Sequence, residues 1–359
     1  MSGPLVGVDA RMIRHSGIGI VLRGLLRHWS ANPPPFRLAL CGDSAQLREE
    51  VPGRLSAEIV AWNPRLYSLA AAIGSPRIRC AAWYSPHYAT SLTASRVLIA
   101  HVQDVLHITH PTRRGTAIYN RLYLAALRRR AAFVLTTSRH VKVQLQTLHG
   151  FRADRVLRTG LGPGNLADGE NARALPRPDG FPARYLLAVG IVKRHKNWEF
   201  LFDRLRHDTS GLPLVCAGAG PHRDKLRALA ARHGVADRVL VLDWIDDAAM
   251  PAVYRHAEAL LYPSLAEGFG LPVLEAMAVG TPVIVADRSP MKEIAAGCAL
   301  VFDPDWPESF DAALREILGN AETRRRCSET GLTRAQEFTW AKTAAVVEDA
   351  IERGMKRQG

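Results

Sequence analysis

No stretch of the 359 residues is apolar over the roughly 18–20 positions that a membrane-crossing helix needs. The opening residues, Met-Ser-Gly-Pro-Leu-Val-Gly-Val-Asp, lack the basic segment and apolar run of a secretory signal, so none is expected. Cysteine pairs are missing too. Cys41, Cys80, Cys216, Cys298 and Cys327 are scattered, odd in number and without C-x-x-C spacing. That pattern excludes a disulfide framework and a thiolate metal site, and points to reduced thiols in a cytoplasmic protein. Aromatic residues are few among the arginines and no nucleic-acid motif is present, so nucleic acid is not an expected partner. There is no short-period repeat, and no low-complexity stretch beyond Pro33-Pro34-Pro35.

What is present is unevenly spread. The net charge of +13 lies wholly in residues 1–170, which hold 22 Lys and Arg against 9 Asp and Glu; residues 171–359 hold 25 of each. Arg113, Arg114, Arg121, Arg128, Arg129, Arg130, Arg139, Lys142, Arg152, Arg155 and Arg158 share their stretch with Asp154 alone. Such a surface suits an anionic partner, such as lipid headgroups or a phosphorylated acceptor. Tyr119, Leu122, Tyr123 and Leu127, set among Arg121, Arg128, Arg129 and Arg130, fit an interfacial helix or an ordinary core-facing one.

Apolar strand-like runs alternate with helical patterns, the signature of parallel α/β sheets. Strands are expected at 5–8, 37–41, 57–61, 81–84, 97–101 and 132–136, and again at 185–189, 214–217, 239–242, 259–262, 281–286 and 299–302. Between the two sets, a segment rich in Gly, Pro, Asn and Asp has the composition of a linker. The boundaries are a domain at 1–165, a linker at 166–182, a domain at 183–338 and a last helix within 339–359. Two Rossmann-like domains facing a cleft are expected, with ligands at the carboxyl ends of the strands.

The chemistry concentrates at Glu267 and Glu275, eight positions apart, with Gly268-Phe269-Gly270-Leu271 directly after the first. The glycines admit a ligand close to the backbone, Pro272 suits a helix start, and the free amides of that helix end attract an anion. Glu275 is placed in the first helical turn and Glu267 in the loop before it. A sugar, a diphosphate and a ribose strung together fit that spacing. After the strand at 185–189 comes Gly190-Ile-Val-Lys-Arg-His-Lys196-Asn, a basic turn in which Lys196 and Arg194 suit a diphosphate.

The Glu267–Glu275 segment resembles the E-x7-E motif of retaining glycosyltransferases with the GT-B fold, family 4, including Tyr262-Pro-Ser before it and Gly280-Thr-Pro-Val after it. The resemblance is specific from about 185 to 304. It implies that Glu267 contacts the donor sugar, that Glu275 holds the ribose and that Lys196 binds phosphate. It also implies that the last helix crosses back onto the first domain. Gly218 and Gly220 match the family's glycine turn near the nucleotide, and Ile245 would frame the base. In the first half, Gly17 and Gly19 match a turn beneath the donor phosphates, and Ser138 a strand-end serine. In His101-Val-Gln103-Asp104, the family's His is replaced by Gln103 while Asp104 matches; His101 or His107 is a candidate for the vacated space.

These matches imply a metal-independent transferase without a cofactor, its nucleotide diphosphate sugar being a substrate. GDP-mannose is the preferred donor, with UDP-N-acetylglucosamine, UDP-glucose and dTDP-rhamnose as alternatives. The expected acceptor is a glycan or lipid-linked glycan at the inner membrane face, in polysaccharide assembly. A sugar-nucleotide-binding scaffold on the same fold is the rival reading.

Overall fold

The computed structural model of the chain describes residues 3–110, 114–164, 176–288 and 290–357. Arg113, Asn165 and much of the expected linker, residues 166–175, lie outside that set. The chain divides into two units, Met1–Gly164 with Thr339–Gly359, and Asn165–Phe338.

In the first unit β1 (Leu5–Asp9), β2 (Arg37–Gly42), β3 (Ala57–Ala61), β4 (Ala82–Ser85), β5 (Leu98–His101), β6 (Phe133–Thr136) and β7 (Val156–Arg158) form one parallel sheet. Its order is β3-β2-β1-β4-β5-β6-β7. The central strands are buried along their whole length, as Ala-Trp-Tyr-Ser, Leu-Ile-Ala-His and Phe-Val-Leu-Thr, because both faces of a parallel sheet are covered.

The last helix, Trp340–Lys356, belongs to this unit despite its place in the sequence. Thr339 caps it by accepting a hydrogen bond from the Lys342 amide at 3.2 Å. Three glycines make room for it: a Cβ added to Gly24 or Gly162 would come within 2.4 and 2.7 Å of the Trp340 ring, and one on Gly354 within 2.7 Å of Val97. Trp340 Nε1 donates to the Pro163 carbonyl at 3.1 Å, and Trp29 Nε1 to Glu348 Oε1 at 2.7 Å. Arg353 and Arg357 both lie over the Phe133 ring.

In the second unit β8 (Leu186–Val189), β9 (Leu214–Ala217), β10 (Val239–Val241), β11 (Ala259–Tyr262), β12 (Val283–Ala286) and β13 (Leu300–Phe302) form a parallel sheet in the order β10-β9-β8-β11-β12-β13. Helix Trp198–His207 buries Trp198, Leu201, Phe202 and Leu205, one stripe at helical spacing. Phe200, Phe302 and Phe310 stack beside it with ring centroids 5.0–5.6 Å apart. Both sheets therefore reverse direction once, between β1 and β4 and between β8 and β11. Those switch points open crevices at the carboxyl ends of the strands.

Candidate functional site

The loops that leave β8 and β11 at the second switch point carry Lys196 and Glu267. After β8 the backbone turns at Gly190, with φ of 151°, and Lys196 lies over it; a Cβ there would stand 3.2 Å from Lys196 Cε. Residues Arg194–Lys196 form one 3-10 turn, which Asn197 ends in the left-handed region, φ 57°. Asparagine accepts that conformation far more readily than most side chains. The Leu265 amide donates to the His195 carbonyl at 2.7 Å, tying the two loops together.

Lys196 Nζ donates to Glu267 Oε1 at 2.6 Å and to the Tyr262 hydroxyl at 3.0 Å, and that hydroxyl donates to Glu267 Oε1 at 2.8 Å. The triangle is largely buried, with 12% of the lysine side chain and 11% of the glutamate exposed. Burial works against both charges. The Glu267 carboxylate offsets this and holds Lys196 above its usual pKa; Lys196, helped by Ser264 and Tyr262, holds Glu267 below its own. Burial and Glu267 keep Tyr262 protonated. An ammonium has three protons and two are engaged here, so one remains for a ligand oxygen. Arg194 is exposed one turn away.

Tyr262 is the partner that motif reading leaves out, although it ends β11 in the Tyr-Pro-Ser run. Tyr254 is another: its buried hydroxyl donates to Glu275 Oε2 at 2.7 Å. Gly270, with φ of 101°, caps helix Leu271–Ala278. This moves two placements: Pro272 is the second helical residue, and Glu275 is the fifth, beyond the first turn. Glu275 thus points from the helix flank, held by Tyr254, instead of from its amide end. Gly268 and Leu271 are half-buried beside it, as is Ile245 in its own loop. Phe269 is buried and packs edge-on against Phe338 at 5.8 Å, so it anchors the turn instead of facing a ligand. Gly218 takes φ of 85° against the backbone of Gly190, and Gly220 takes φ of 54°.

In the first unit the loops after β1, β4 and β5 meet at the equivalent edge. Gln103 Nε2 donates to the Pro86 carbonyl at 3.1 Å, and a Cβ on Gly17 would lie 4.0 Å from Gln103 Oε1. One expectation is corrected here, that for His101, and two other residues carry structural duties of their own. His101 is fully buried at the end of β5, its Nε2 3.2 Å from Thr159 Oγ1, and burial lowers its pKa to about 3; it is a neutral core residue. Ser138 is fully buried and caps helix Arg139–His149 through the Val141 amide at 3.2 Å. Gly19 is needed by the chain itself, because a Cβ would stand 2.3 Å from the Ile13 carbonyl oxygen. Asp104 accepts from the Leu106 amide at 2.9 Å, and His107 lies among Tyr67 and Tyr88.

Beneath this edge Arg11 grips Asp9 through Nε at 2.8 Å and Nη2 at 2.6 Å, both fully buried, and its guanidinium stacks 4.4 Å over Trp62. Thr90 Oγ1 also donates to Asp9 at 3.0 Å. Although burial opposes it, His87 and Arg11 hold the Asp9 carboxyl far below its ordinary value.

Helix Arg114–Arg130 buries Tyr123, Leu124 and Leu127 but leaves Ile118 and Leu122 exposed beside Arg121. A groove of about 750 Å³ runs along it, lined by Ile108, Arg121, Leu124, Arg128 and Leu148. The sequence also holds an Asp-x-Asp after β13, Asp303-Pro-Asp305, but Arg288 pairs with both carboxylates at 3.6 and 2.6 Å. Among the described residues no group of three His, Cys, Asp or Glu is placed to hold a metal, and no helix is long and apolar enough to cross a membrane.

Residues 178–334 match the family described as Glycosyl transferases group 1. O-antigen chain mannosyltransferase B of Escherichia coli is 28% identical over 224 residues, 58% of each chain. A D-inositol 3-phosphate glycosyltransferase of Corynebacterium glutamicum is 37% identical over 150 residues, 40% of this chain and 36% of its own. The chain thus spans less than two thirds of these curated relatives. Among solved structures, sucrose-phosphate synthase from Thermosynechococcus elongatus superposes with a TM-score of 0.77 at 17% identity, over 99% of this chain and 100% of that one. Anabaena Alr3699/HepE in complex with UDP and glucose gives 0.76 at 16%, over 98% and 100%. At such identities the likeness establishes the fold, which is GT-B. Residues 178–334, carried on that fold, are therefore similar to the group 1 glycosyl transferases.

Proposed function

We propose that the chain is a retaining, metal-independent glycosyltransferase that moves a hexose from a nucleotide diphosphate sugar to a glycan or lipid-linked acceptor. The observation that carries this reading is the Lys196–Glu267–Tyr262 triangle at the β8/β11 switch point. A site for this reaction must stabilise a departing diphosphate and a sugar carbon that gains positive charge. The free proton of Lys196, with the exposed Arg194 guanidinium, suits the first task, and the Glu267 carboxylate suits the second. The bond from the anomeric carbon to the diphosphate breaks while the acceptor oxygen bonds to the same face, and the departing phosphate oxygen takes the acceptor's proton. Glu275, steadied by Tyr254, holds the ribose hydroxyls. Gln103 offers hydrogen bonds and no general base, which this route does not need.

Mannose is the preferred sugar, since the E. coli relative is named a mannosyltransferase. The basic groove, with Ile118 and Leu122 exposed beside Arg121, supports an acceptor presented at an anionic membrane surface in polysaccharide assembly. Incubation with GDP-mannose, UDP-glucose, UDP-N-acetylglucosamine and dTDP-rhamnose, each with lipid-linked glycans, tests the reading. Transfer with retained anomeric configuration, undiminished by a chelator and lost in Glu267→Ala, is the expected result. Nucleotide binding without turnover of any donor would favour a scaffold, and full transfer by Glu267→Ala would sink the mechanism.

A further inference from the structure

At the carboxyl edge of the first sheet, Tyr67, Tyr88, His107 and Tyr119 come together from two loops, the short helix Leu106–Thr109 and helix Arg114–Arg130. Tyr67 has its ring centroid 6.3 Å from Tyr88 and His107 and 6.4 Å from Tyr119. It is also the outermost ring, 39% exposed, whereas Tyr88 is 8% exposed. Its backbone is held at φ of 59°, a conformation that a bulky side chain adopts only where its surroundings impose it. The cluster is not a finished apolar core. Among the described residues, Asn120, 1% exposed, accepts the Tyr88 hydroxyl at 3.1 Å but its Nδ2 has no partner, and the buried Tyr119 hydroxyl has none either. Native interiors rarely leave such groups unpaired. Burial above all keeps the Tyr67 and Tyr88 hydroxyls protonated, and the Asp104 carboxylate, in the loop just before His107, adds to it.

Aromatic faces bordered by a carboxylate, an imidazole and unpaired donors match a ligand with one apolar face and a rim of hydroxyls. An alkyl chain would cover the rings and leave every one of those polar groups unmet. We propose that Tyr67, Tyr88, His107, Tyr119, Asn120 and Asp104 form a carbohydrate subsite that takes a pyranose ring of the acceptor, stacked on Tyr67 with its hydroxyls toward Asp104 and His107. As an acceptor subsite it rests on the transferase reading; as a sugar site it stands on this cluster alone.

The full chain is titrated with the methyl glycosides of mannose, glucose, galactose and N-acetylglucosamine, and with dodecyl phosphate as an alkyl contrast. Binding is followed by saturation-transfer NMR. At least one glycoside binds. Tyr67→Gly, which takes up the same backbone without strain, and Asp104→Asn each weaken it tenfold or more at unchanged circular dichroism, while Tyr67→Phe keeps most of the affinity. No glycoside binding, binding indifferent to Tyr67→Gly and Asp104→Asn, or dodecyl phosphate alone being sensitive to them overturns the proposal. GDP and UDP are titrated in the same samples. Nucleotide binding and donor turnover without any glycoside signal sink the subsite alone. Tyr67-dependent glycoside binding with no donor turned over upholds the subsite and sinks the transferase reading.

Discussion

The first unit carries 26 Lys and Arg against 10 Asp and Glu and the second 21 against 24, although both sheets follow one strand order. They also bury different things. Behind the first switch point lie a closed ion pair, Asp9–Arg11, and a neutral histidine, His101. At the second lies a lysine–glutamate pair that keeps a proton and an edge open to solvent. One topology thus supplies two crevices, and the side chains after the first and fourth strands decide which has its charges consumed internally and which can offer them to a ligand. The proposed donor site accordingly lies in the second unit, and the proposed acceptor subsite in the first.

The largest test of that division is Lys196→Ala. It leaves Glu267 as a mostly buried carboxylate without its cation and removes the charge proposed to face the leaving group. Transfer is expected to fall about 10²–10³-fold, the usual cost of losing one preorganised stabilising group. Lys196→Arg should recover little, because the Gly190 backbone beneath the ammonium is fitted to a compact head. Single-turnover rates at saturating donor check this. Unchanged rates in Lys196→Ala would move the catalytic charge elsewhere and dissolve the contrast between the units.

The buried charges predict a difference in acid stability. His101 is neutral in the folded chain down to about pH 3 but accepts a proton near 6.5 when unfolded. The unfolded state therefore binds more protons between those values, and stability falls as pH falls through that window, by about 3 kcal/mol at pH 4. Asp9, whose folded pKa is lowered, adds a loss that begins below its ordinary 3.8. In the second unit Glu267, also lowered, contributes stability present above 4.5 and lost as pH falls through its folded value; Lys196, raised, contributes stability present below 10.5 and lost above it. Hydrogen exchange followed by mass spectrometry from pH 7 to 4 should show β1, β4 and β5 loosening before β8 and β11. Simultaneous loosening would mean that His101 does not set the order, and His101→Gln should narrow the gap.

Gly24→Ala tests how the last helix is held. Gly24 lies in helix Ser16–Ala31, where alanine is normally favoured over glycine by about 1 kcal/mol. Here its Cβ would meet the Trp340 ring at 2.4 Å, so overpacking reverses the sign. A net loss of about 2 kcal/mol is expected, seen as faster exchange in Trp340–Lys356 with the second unit unchanged. A stabilised protein would show that Trp340 yields freely.

Much of this was legible in the sequence, and the misses have physical causes. Strands at 57–61, 214–217 and 259–262 fall where short apolar runs put them, and the others differ by a residue or two at their ends. β7 escaped because three residues, Val156–Arg158, carry no period. Helices Pro307–Gly319 and Ala321–Ala335 were not delimited; the second buries Thr323, Cys327, Gly331 and Ala335, whose spacing is helical but whose side chains are too small or polar for a clear stripe. At the second switch point, the paired glutamates and Lys196-Asn197 pointed to two loops that the structure brings into contact. They did not name Tyr262 or Tyr254, whose importance lies in a hydroxyl reaching across 5 or 21 positions. In the first unit His101 misled because alternation gives a face, and that face proved to be core.

The smallest expected effect falls on Glu275. Tyr254→Phe removes one hydrogen bond, from a buried phenol to Glu275 Oε2, and leaves the packing of the ring. A hydrogen bond to a charged group contributes about 1.5–3 kcal/mol, but Glu275 is half-exposed and water can replace the hydroxyl in part, so about 1 kcal/mol is expected. If Glu275 holds the ribose, that loss appears as a roughly fivefold weaker affinity for the free nucleoside diphosphate, with the transfer rate at saturating donor unchanged. A carboxylate acting on the reacting sugar would instead lower the rate at saturation and leave nucleotide affinity intact. The split between the two readouts therefore decides whether the E-x7-E pair divides its work between ribose and sugar or spends both acids on the sugar.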